Sequence, residues 1–411
     1  MEVLSPAGNM EKLKTAIYFG ADAVYFSGKN FGLRSFAGNF SNEEIREAVK
    51  YCHKKGVKAY ITLNIVAHNS DFLTLEEYLK FLNEVKVDAV IVSDMGIMTF
   101  VKKFAPDIDL HVSTQANITN KFSAKLMCDM GAKRIVLARE LSLNEIKEIR
   151  DYISKDVELE AFVHGAMCIS YSGRCLLSNY LTGRESNKGA CVQACRWGYT
   201  IHEVSRKNEE LPIEEDERGT YILNSKDLNM IEYIDRLENC GVTSLKIEGR
   251  MKSSYYVATT TNAYKRAVKY LNYCKENNMD FVCPKEFVVE LFKSSHRQFT
   301  TGFNFKDIKQ EESEYLKDSM PVQTHEFMAI VSDYENNEKM AIVEQRNRFC
   351  VGDTLEILSP HDSFNKQFVV EKIVDEKTKE NLTDAKFVQQ RLIINCPYKV
   401  FQGDILRKKV N

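Results

Sequence analysis

Residues 2–27, EVLSPAGNMEKLKTAIYFGADAVYFS, hold one complete strand–helix–strand unit. A short apolar run, Glu2–Ser5, gives way to a stretch with apolar residues three and four apart. The GAD that follows turns the chain into a second apolar run, Ala23–Ser27. The same unit recurs through residue 165. Further runs are Lys58–Asn64, Ala89–Ser93, Asp109–Ser113, Arg134–Ala138 and Glu158–His164, roughly 20 to 35 residues apart, the length of a βα unit. Two of the intervening stretches, SNEEIREAVKYCHKKG from Ser41 and SLNEIKEIRDYI from Ser142, open with a serine followed three residues later by an acid. That is the signature of a capped helix start.

An eighth run at Thr243–Glu248 completes the set, and the leading fold is an α/β, TIM-like (β/α)8 barrel. An open doubly wound sheet is the competitor. It would show a glycine-rich phosphate loop after one strand, and Gly28 and Gly32 in SGKNFG do not make one. A cysteine-rich insertion interrupts the repeat at about 165–225, where TIHEV and TYILNS read as the flanks of a hairpin. Ser253–Cys274 reads as a helix with a positive face of Lys252, Lys265, Arg266 and Lys269. From Met320 onward the chain is a series of short β-type segments separated by turn residues. The expected organisation is a barrel over 1–303, a linker over 304–319 and a small C-terminal all-β domain, a β-barrel, over 320–411.

The 56 Lys and Arg against 58 Asp and Glu exclude a broadly basic nucleic-acid coat, though not a local basic face. No apolar run reaches 18 residues, and MEVLSPAGNM does not read as a secretory signal. A cytoplasmic protein with no membrane partner is expected. Eleven cysteines in such a chain argue against a disulfide framework.

Four of the eleven fall within FVHGAMCISYSGRCLLSNYLTGRESNKGACVQACRWGY. Cys168, Cys175, Cys191 and Cys195 follow the pattern C-x6-C-x15-C-x3-C, directly after the seventh strand. In a barrel this is the end where active-site loops gather. Four thiolates suit zinc or an iron–sulfur cluster. Only the 191/195 pair has zinc-knuckle spacing, which favours a cluster over zinc and over unrelated thiols. The other seven read as small core hydrophobes, with Cys52 and Cys240 as substitutes for a weak member of the quartet.

Polar residues also collect where the barrel strands end. They are Asn64, His111 and Gln115, Arg139 and Glu140, His164, and the alternating Lys246, Glu248 and Arg250. Convergence at one end of a barrel favours a polar pocket. Arg139, Lys246 and Arg250 suit carboxylates, and Asn64, His111 and Gln115 supply neutral contacts. His164, Glu140 and Glu248 are the acid–base candidates. Three roles stand open for His164: proton donor, metal ligand and core histidine.

The cysteine segment, together with LSPAGNMEKLKTAIYFGADAVYFSG, HVSTQANITN, ILNSKDL and SLKIEGRMKSSYYVA, resembles the collagenase-like peptidase-U family over Met1–Met320. It is most similar to the tRNA-hydroxylating branch. That resemblance implies hydroxylation of wobble uridine C5 to 5-hydroxyuridine in the tRNA anticodon region. It also implies prephenate as co-substrate or ligand and a [4Fe–4S] cluster. Cys168, Cys175 and Cys191 are the securest ligands it implies. Related members use a cysteine after the SKDL sequence, where this chain has SKDLNMI, so Cys195 is taken as the fourth.

Two other functions remain in view, a collagenase-like peptidase and hydroxylation of a small aromatic or quinone. No H-E-x-x-H or G-x-S-x-G motif supports hydrolysis. Lys265, Arg266, Lys269 and the RKK at 407–409 are candidate phosphate contacts. Tyr255, Tyr256 and Trp197 are candidate stacking residues.

Overall fold

The computed structural model describes residues 1–29, 31–32, 38–167, 177–182, 184, 191–194, 214–216, 219–221, 226–305 and 322–410. Strands β1 (Glu2–Pro6), β2 (Ala23–Phe26), β3 (Lys58–Leu63), β4 (Ala89–Val92), β5 (Asp109–Val112), β6 (Arg134–Val136) and β7 (Glu158–Ala166) pair in parallel, each with the next. Helices α1 (Met10–Tyr18), α2 (Asn42–Lys54), α3 (Phe72–Glu84), α4 (Met95–Phe104), α5 (Lys121–Asp129) and α6 (Leu143–Tyr152) alternate with them. α2 and α6 start at the expected capping boxes, Ser41 with Glu44 and Ser142 with Glu145.

A short helix, α7 (Leu177–Thr182), is followed by a small hairpin of β8 (Glu214–Asp216) and β9 (Gly219–Tyr221). Apart from residues 165–167, 184 and 191–194, the rest of the expected insertion, including Cys168, Cys175, Cys195 and Trp197, lies outside the described residues. Beyond it come β10 (Asp227–Asn229), α8 (Ile234–Asn239) and β11 (Val242–Ile247). β11 pairs in parallel with both β1 and β7 and closes the eight-stranded ring. All eight expected strands are present, with ends shifted by at most two residues. The fold is a closed parallel barrel with flanking helices.

β7 is the one long barrel strand, and it does two jobs. Its first part pairs with β6 and β11. Its last residues pair antiparallel with β10, Asn229 opposite His164 and Asp227 opposite Ala166. The pairing with β11 slips between Lys246 and Ile247, which stand opposite Phe162 and His164. Such a slip breaks the in–out alternation of a strand. Gly165, at φ +103°, completes the bend; a Cβ there would lie 2.7 Å from the Glu248 carbonyl oxygen.

The barrel interior is apolar in its middle layer, with Leu4, Tyr25, Ile91, Val136 and Phe162 in mutual contact. Below that layer is a buried ionic network. Arg134, 2% exposed, bonds Glu2 at 2.6 Å, Glu160 at 2.9 Å and Glu158 at 2.5 Å. Tyr60 and Ser244 donate to Glu2 as well. Burial works against the guanidinium charge, but Glu160 and Glu2 outweigh it and keep Arg134 protonated.

α9 (Ser254–Glu276) is the expected long helix, and α10 (Lys285–Leu291) and β12 (Phe299–Thr300) follow it. The C-terminal unit comprises β13 (His325–Glu335), β14 (Met340–Gln345), β15 (Phe349–Cys350), β16 (Thr354–Leu358), β17 (Gln367–Val369), β18 (Ile373–Asp375), β19 (Asn381–Leu382), β20 (Asp384–Ala385), β21 (Arg391–Asn395) and β22 (Ile405–Lys409). Eight of these form one antiparallel sheet around its own apolar core, and β15 pairs with β20 beside it. The expected linker over 304–319 falls mostly on residues outside those described.

This β-domain is docked on α9 and α10. Phe19, Tyr255, Ala258, Leu358 and Ile405 form a shared apolar patch. Beside it Arg407, wholly buried, bonds both oxygens of Glu290 at 2.5 and 2.8 Å, and Glu356 at 2.7 Å. Lys293 adds a 2.6 Å bond to Glu356. Arg407 is thus not the surface cation that the RKK sequence suggested. Its parity on β22 turns it toward α10, while Lys408 pairs with Asp353 and Lys409 is exposed. Tyr255 and Tyr256 are buried as well. Arg266 reaches the Ser359 and His361 carbonyls, and Lys265 pairs with Asp22, which leaves Lys269 as the exposed cation of that helix face.

Candidate functional site

At the C-terminal mouth of the barrel lies a cleft of about 500 Å³, counting its open entrance. Its walls are Thr62 in β3 and Asn64 just after it, Ser113, Thr114 and Gln115 after β5, and Arg139 after β6. Phe162 from β7, Lys246 from β11, and Glu248 and Arg250 just after β11 complete them, with Tyr25 and Ile91. Parallel strands of a barrel deliver their last inward residues to one rim, so strand ends far apart in sequence meet here. Six residues singled out in the sequence come together: Asn64, Gln115, Arg139, Lys246, Glu248 and Arg250.

The cations are held firmly. Arg139 lies over the Phe162 ring, its Cζ 4.0 Å from the centroid, and donates to Glu248 at 3.0 Å and to the Ala166 carbonyl at 2.9 Å. Arg250, 5% exposed, donates to Asn39 at 2.5 Å and to Thr62 at 3.4 Å. Gly8 permits this placement, since a Cβ there would sit 2.3 Å from the Arg250 carbonyl oxygen. Lys246 lies between Tyr25 and Phe162, 4.6 and 5.4 Å from their centroids, and bonds Glu160 at 2.6 Å beneath the cleft. Such a pocket can hold an anionic ligand by charge-assisted hydrogen bonds while an aromatic wall excludes water from one side.

Three of the expected residues stand elsewhere. His111 is at the opposite end of the barrel, buried beside Tyr60 and bordering a second polar cleft with Lys58 and Arg134. Burial, then Arg134, Lys246 and Lys58, lower its pKa well below the usual imidazole range. It lies inside β5, two residues before Ser113, so the face the two share leaves it about 6–7 Å deeper in the barrel than the mouth. His164 is turned by the β7–β11 slip into a nest of Tyr256, Tyr264 and Phe299, with ring centroids 5.4 to 5.9 Å away. There its pKa is lowered to about 3, by burial first and then by His296 and Lys252. Glu140 does not border the cleft. Burial raises its pKa, and its Oε2 has no hydrogen-bond partner among the described residues.

Tyr25, Thr62, Ile91, Thr114 and Phe162 are the cleft residues that sequence reading missed. Glu160 was missed with them. Its signal was present, because Glu160 and Phe162 share parity on β7 and a charge on an inward barrel position demands a partner.

Of the four clustered cysteines, Cys191 is described. It is half-buried, and its sulfur accepts a hydrogen bond from the Gln193 amide at 3.3 Å. Among the described residues no group of three or more His, Cys, Asp or Glu side chains is placed to hold a metal ion. Elsewhere, burial raises the thiols of Cys52 and Cys283 to about 12 and that of Cys396 to about 11. These behave as buried small hydrophobes. Among the described residues no helix is long and apolar enough to cross a membrane.

Residues 8–314 match peptidase family U32, and residues 323–407 match the peptidase family U32 C-terminal domain. The chain is 39% identical over 407 residues to tRNA hydroxylation protein P1 of Bacillus subtilis, covering 99% of this chain and 94% of that one. It is 35% identical over 419 residues to tRNA hydroxylation protein P of Escherichia coli, covering 92% and 89%. A 23S rRNA 5-hydroxycytidine C2501 synthase of Escherichia coli is 40% identical over 266 residues, covering 65% of this chain and 39% of that one. A barrel matched over three quarters of the sequence, with the family's own C-terminal domain docked against it, places this chain in peptidase family U32.

Proposed function

We propose that this chain is a tRNA-modifying enzyme that converts wobble uridine to 5-hydroxyuridine with the participation of prephenate. The observation that carries the reading is similarity along nearly the whole length of both domains to a tRNA hydroxylation protein. The partial relative named as a 5-hydroxycytidine synthase supports the same reaction class, oxygen placed on C5 of a pyrimidine in RNA.

In this reading the cleft binds the small dicarboxylate. Arg250 and Arg139 hold its carboxylates, Asn64 and Gln115 meet its remaining oxygens, and Glu248 keeps Arg139 in place. Hydroxylation at C5 replaces a C–H bond by C–O and removes two electrons from the base, which requires a redox group. A four-thiolate donor set, Cys168, Cys175, Cys191 and Cys195, suits a [4Fe–4S] cluster, which supplies electron transfer when bound. Cys191 has the half-buried, sulfur-accepting environment of a candidate ligand. The protein's own part is to hold the ligand, order the rim and exclude water. Glu248, the expected acid–base residue that borders the cleft, is the titratable group proposed for proton handling, while His164 and Glu140 stand away from it.

The peptidase reading needs a nucleophile with a base within hydrogen-bond reach. Among the described residues lining the cleft there is no histidine and no cysteine. The deciding experiment is mass spectrometry of tRNA nucleosides from cells lacking this gene, complemented by wild type or by Cys175→Ser. Loss of 5-hydroxyuridine and its derivatives, restored by wild type alone, is expected. Unchanged tRNA in the deletion strain, with no second pathway present, refutes the proposal. Parallel gelatin-digestion and quinone-hydroxylation assays test the two other activities.

A further inference from the structure

The β-domain carries an exposed apolar tip. Phe387 and Val388, in the turn between β20 and β21, are 62% and 83% exposed. Two adjacent side chains of this size left in water forgo the burial that stabilises the rest of the domain. Cations flank them. Lys386 Nζ lies 5.6 Å over the Phe387 ring. Phe349 pairs with Ala385 and Cys350 with Asp384, so one step along the ladder Arg348 stands opposite Lys386. Arg348 is exposed and tethered to Asp384 at 2.8 Å.

This tip is linked to the cleft by a short path of contacts. The backbone of Gln345 exchanges hydrogen bonds with Gln389 and Gln390. The next residue, Arg346, reaches Glu11 at 3.4 Å, in the first turn of α1 at the barrel mouth. Beside Glu11, Lys12 Nζ approaches the carbonyl of Arg250 at 3.5 Å, and Arg250 lines the cleft. A polymer whose reacting unit is brought to this end of the barrel must lay its remaining length on the surface around the mouth.

We propose that Phe387, Val388, Lys386 and Arg348 form an RNA-contact surface, in which an unpaired base stacks on Phe387 and the adjoining phosphates meet the two cations. The inference rests on the RNA-modifying reading above and adds where the RNA is held. Stacking on an aromatic face beside flanking cations is the usual way proteins grip single-stranded RNA. Two side chains fall far short of the ~800 Å² per partner that a stable protein interface buries, which argues against a second copy as the occupant.

The test uses the full chain and an unmodified tRNA transcript with a wobble uridine, in filter binding over a range of salt. Phe387→Ser with Val388→Ser is expected to weaken binding about 10-fold, the scale of one lost stack, and Phe387→Trp to retain it. Lys386→Glu with Arg348→Glu is expected to flatten the salt dependence by about one unit of slope per lost phosphate contact. Unchanged thermal unfolding serves as the folding control. If wild type binds tRNA and these variants bind it equally well with the same slope, the surface assignment fails while the RNA reading stands. If wild type binds no tRNA, both fail. A wild-type dimer that the serine variant converts to monomer in sedimentation makes the tip a self-interface and overturns the proposal.

Discussion

Lys246 Nζ lies 2.6 Å from Glu160 Oε1, and both side chains are buried at the boundary between the cleft and the ionic network below it. Glu160 in turn bonds Arg134, so the cleft floor is wired to the bottom of the barrel through three alternating charges. Removing Lys246 therefore reaches beyond the cleft to the network below it. Lys246→Ala is expected to lower unfolding free energy by about 3–5 kcal/mol, because Glu160 loses a buried partner. Lys246→Met with Glu160→Gln is expected to recover much of that loss. Denaturant unfolding of the three proteins checks this, and equal stability of all three refutes it.

Arg250 gives the contrasting case. The bonds it makes to Asn39 and Thr62 are to neutral oxygens at the rim. Arg250→Ala is expected to weaken prephenate binding by about 1–3 kcal/mol, the scale of a charged hydrogen bond. Calorimetry with the purified protein measures it. Wild-type affinity in the variant removes Arg250 from the binding site.

Arg407 and Glu290 join the two domains with no exposure of either side chain. Arg407→Met leaves two buried carboxylates, Glu290 and Glu356, with Lys293 as their shared cation, and a stability loss of about 3–5 kcal/mol is expected. Arg407→Met combined with Glu290→Met is expected to be more stable than the single variant. Thermal unfolding of both decides the matter.

His164 sets a pH dependence. Its pKa falls from 6.5 free in the unfolded chain to about 3 in the fold, so between those values the unfolded state binds more protons. The stabilisation that comes with a neutral imidazole is complete above pH 6.5 and is lost as pH falls toward 3. In His164→Gln the decline of unfolding free energy over this window is expected to be shallower than in wild type. Identical slopes contradict the buried, neutral state.

The cysteines yield a direct chemical test. Anaerobically purified protein is expected to be brown, with about four iron atoms and four sulfides, as a cluster on four thiolates requires. Cys175→Ser is expected to lose the colour. Cys283→Ser, at a half-buried thiol that burial raises to about 12, is expected to keep it. Stoichiometric zinc without sulfide refutes the cluster.

The barrel was legible because each βα unit advertises itself locally, through period-3.6 helices capped by Ser41 and Ser142 and through apolar strands of fixed spacing. The cleft was half legible. Polar residues after a strand, such as Asn64, Arg139 and Arg250, are visible as exceptions to an apolar pattern. What hides is register. His111 and Ser113 share a face but sit at different heights, and the slip beside Phe162 reverses where His164 points. Long-range charge partners hide for a similar reason. Arg134 and Glu2 are 132 residues apart, and nothing local couples them.

The pairing of Asp227 with Ala166 has a topological consequence. The chain departs the barrel after Ala166 and returns at the register position beside it, so residues 167–226 form an excursion whose two ends are already fastened together by the β7–β10 ladder. Closing a loop costs only logarithmically more as it lengthens, and here the ladder already holds the two ends, so a change in the length of chain between them is expected to leave the ring of strands paired. Grafting the corresponding segment of another family member between Ala166 and Asp227 is a practical route to ask which part of the protein chooses the chemistry and which part chooses the substrate.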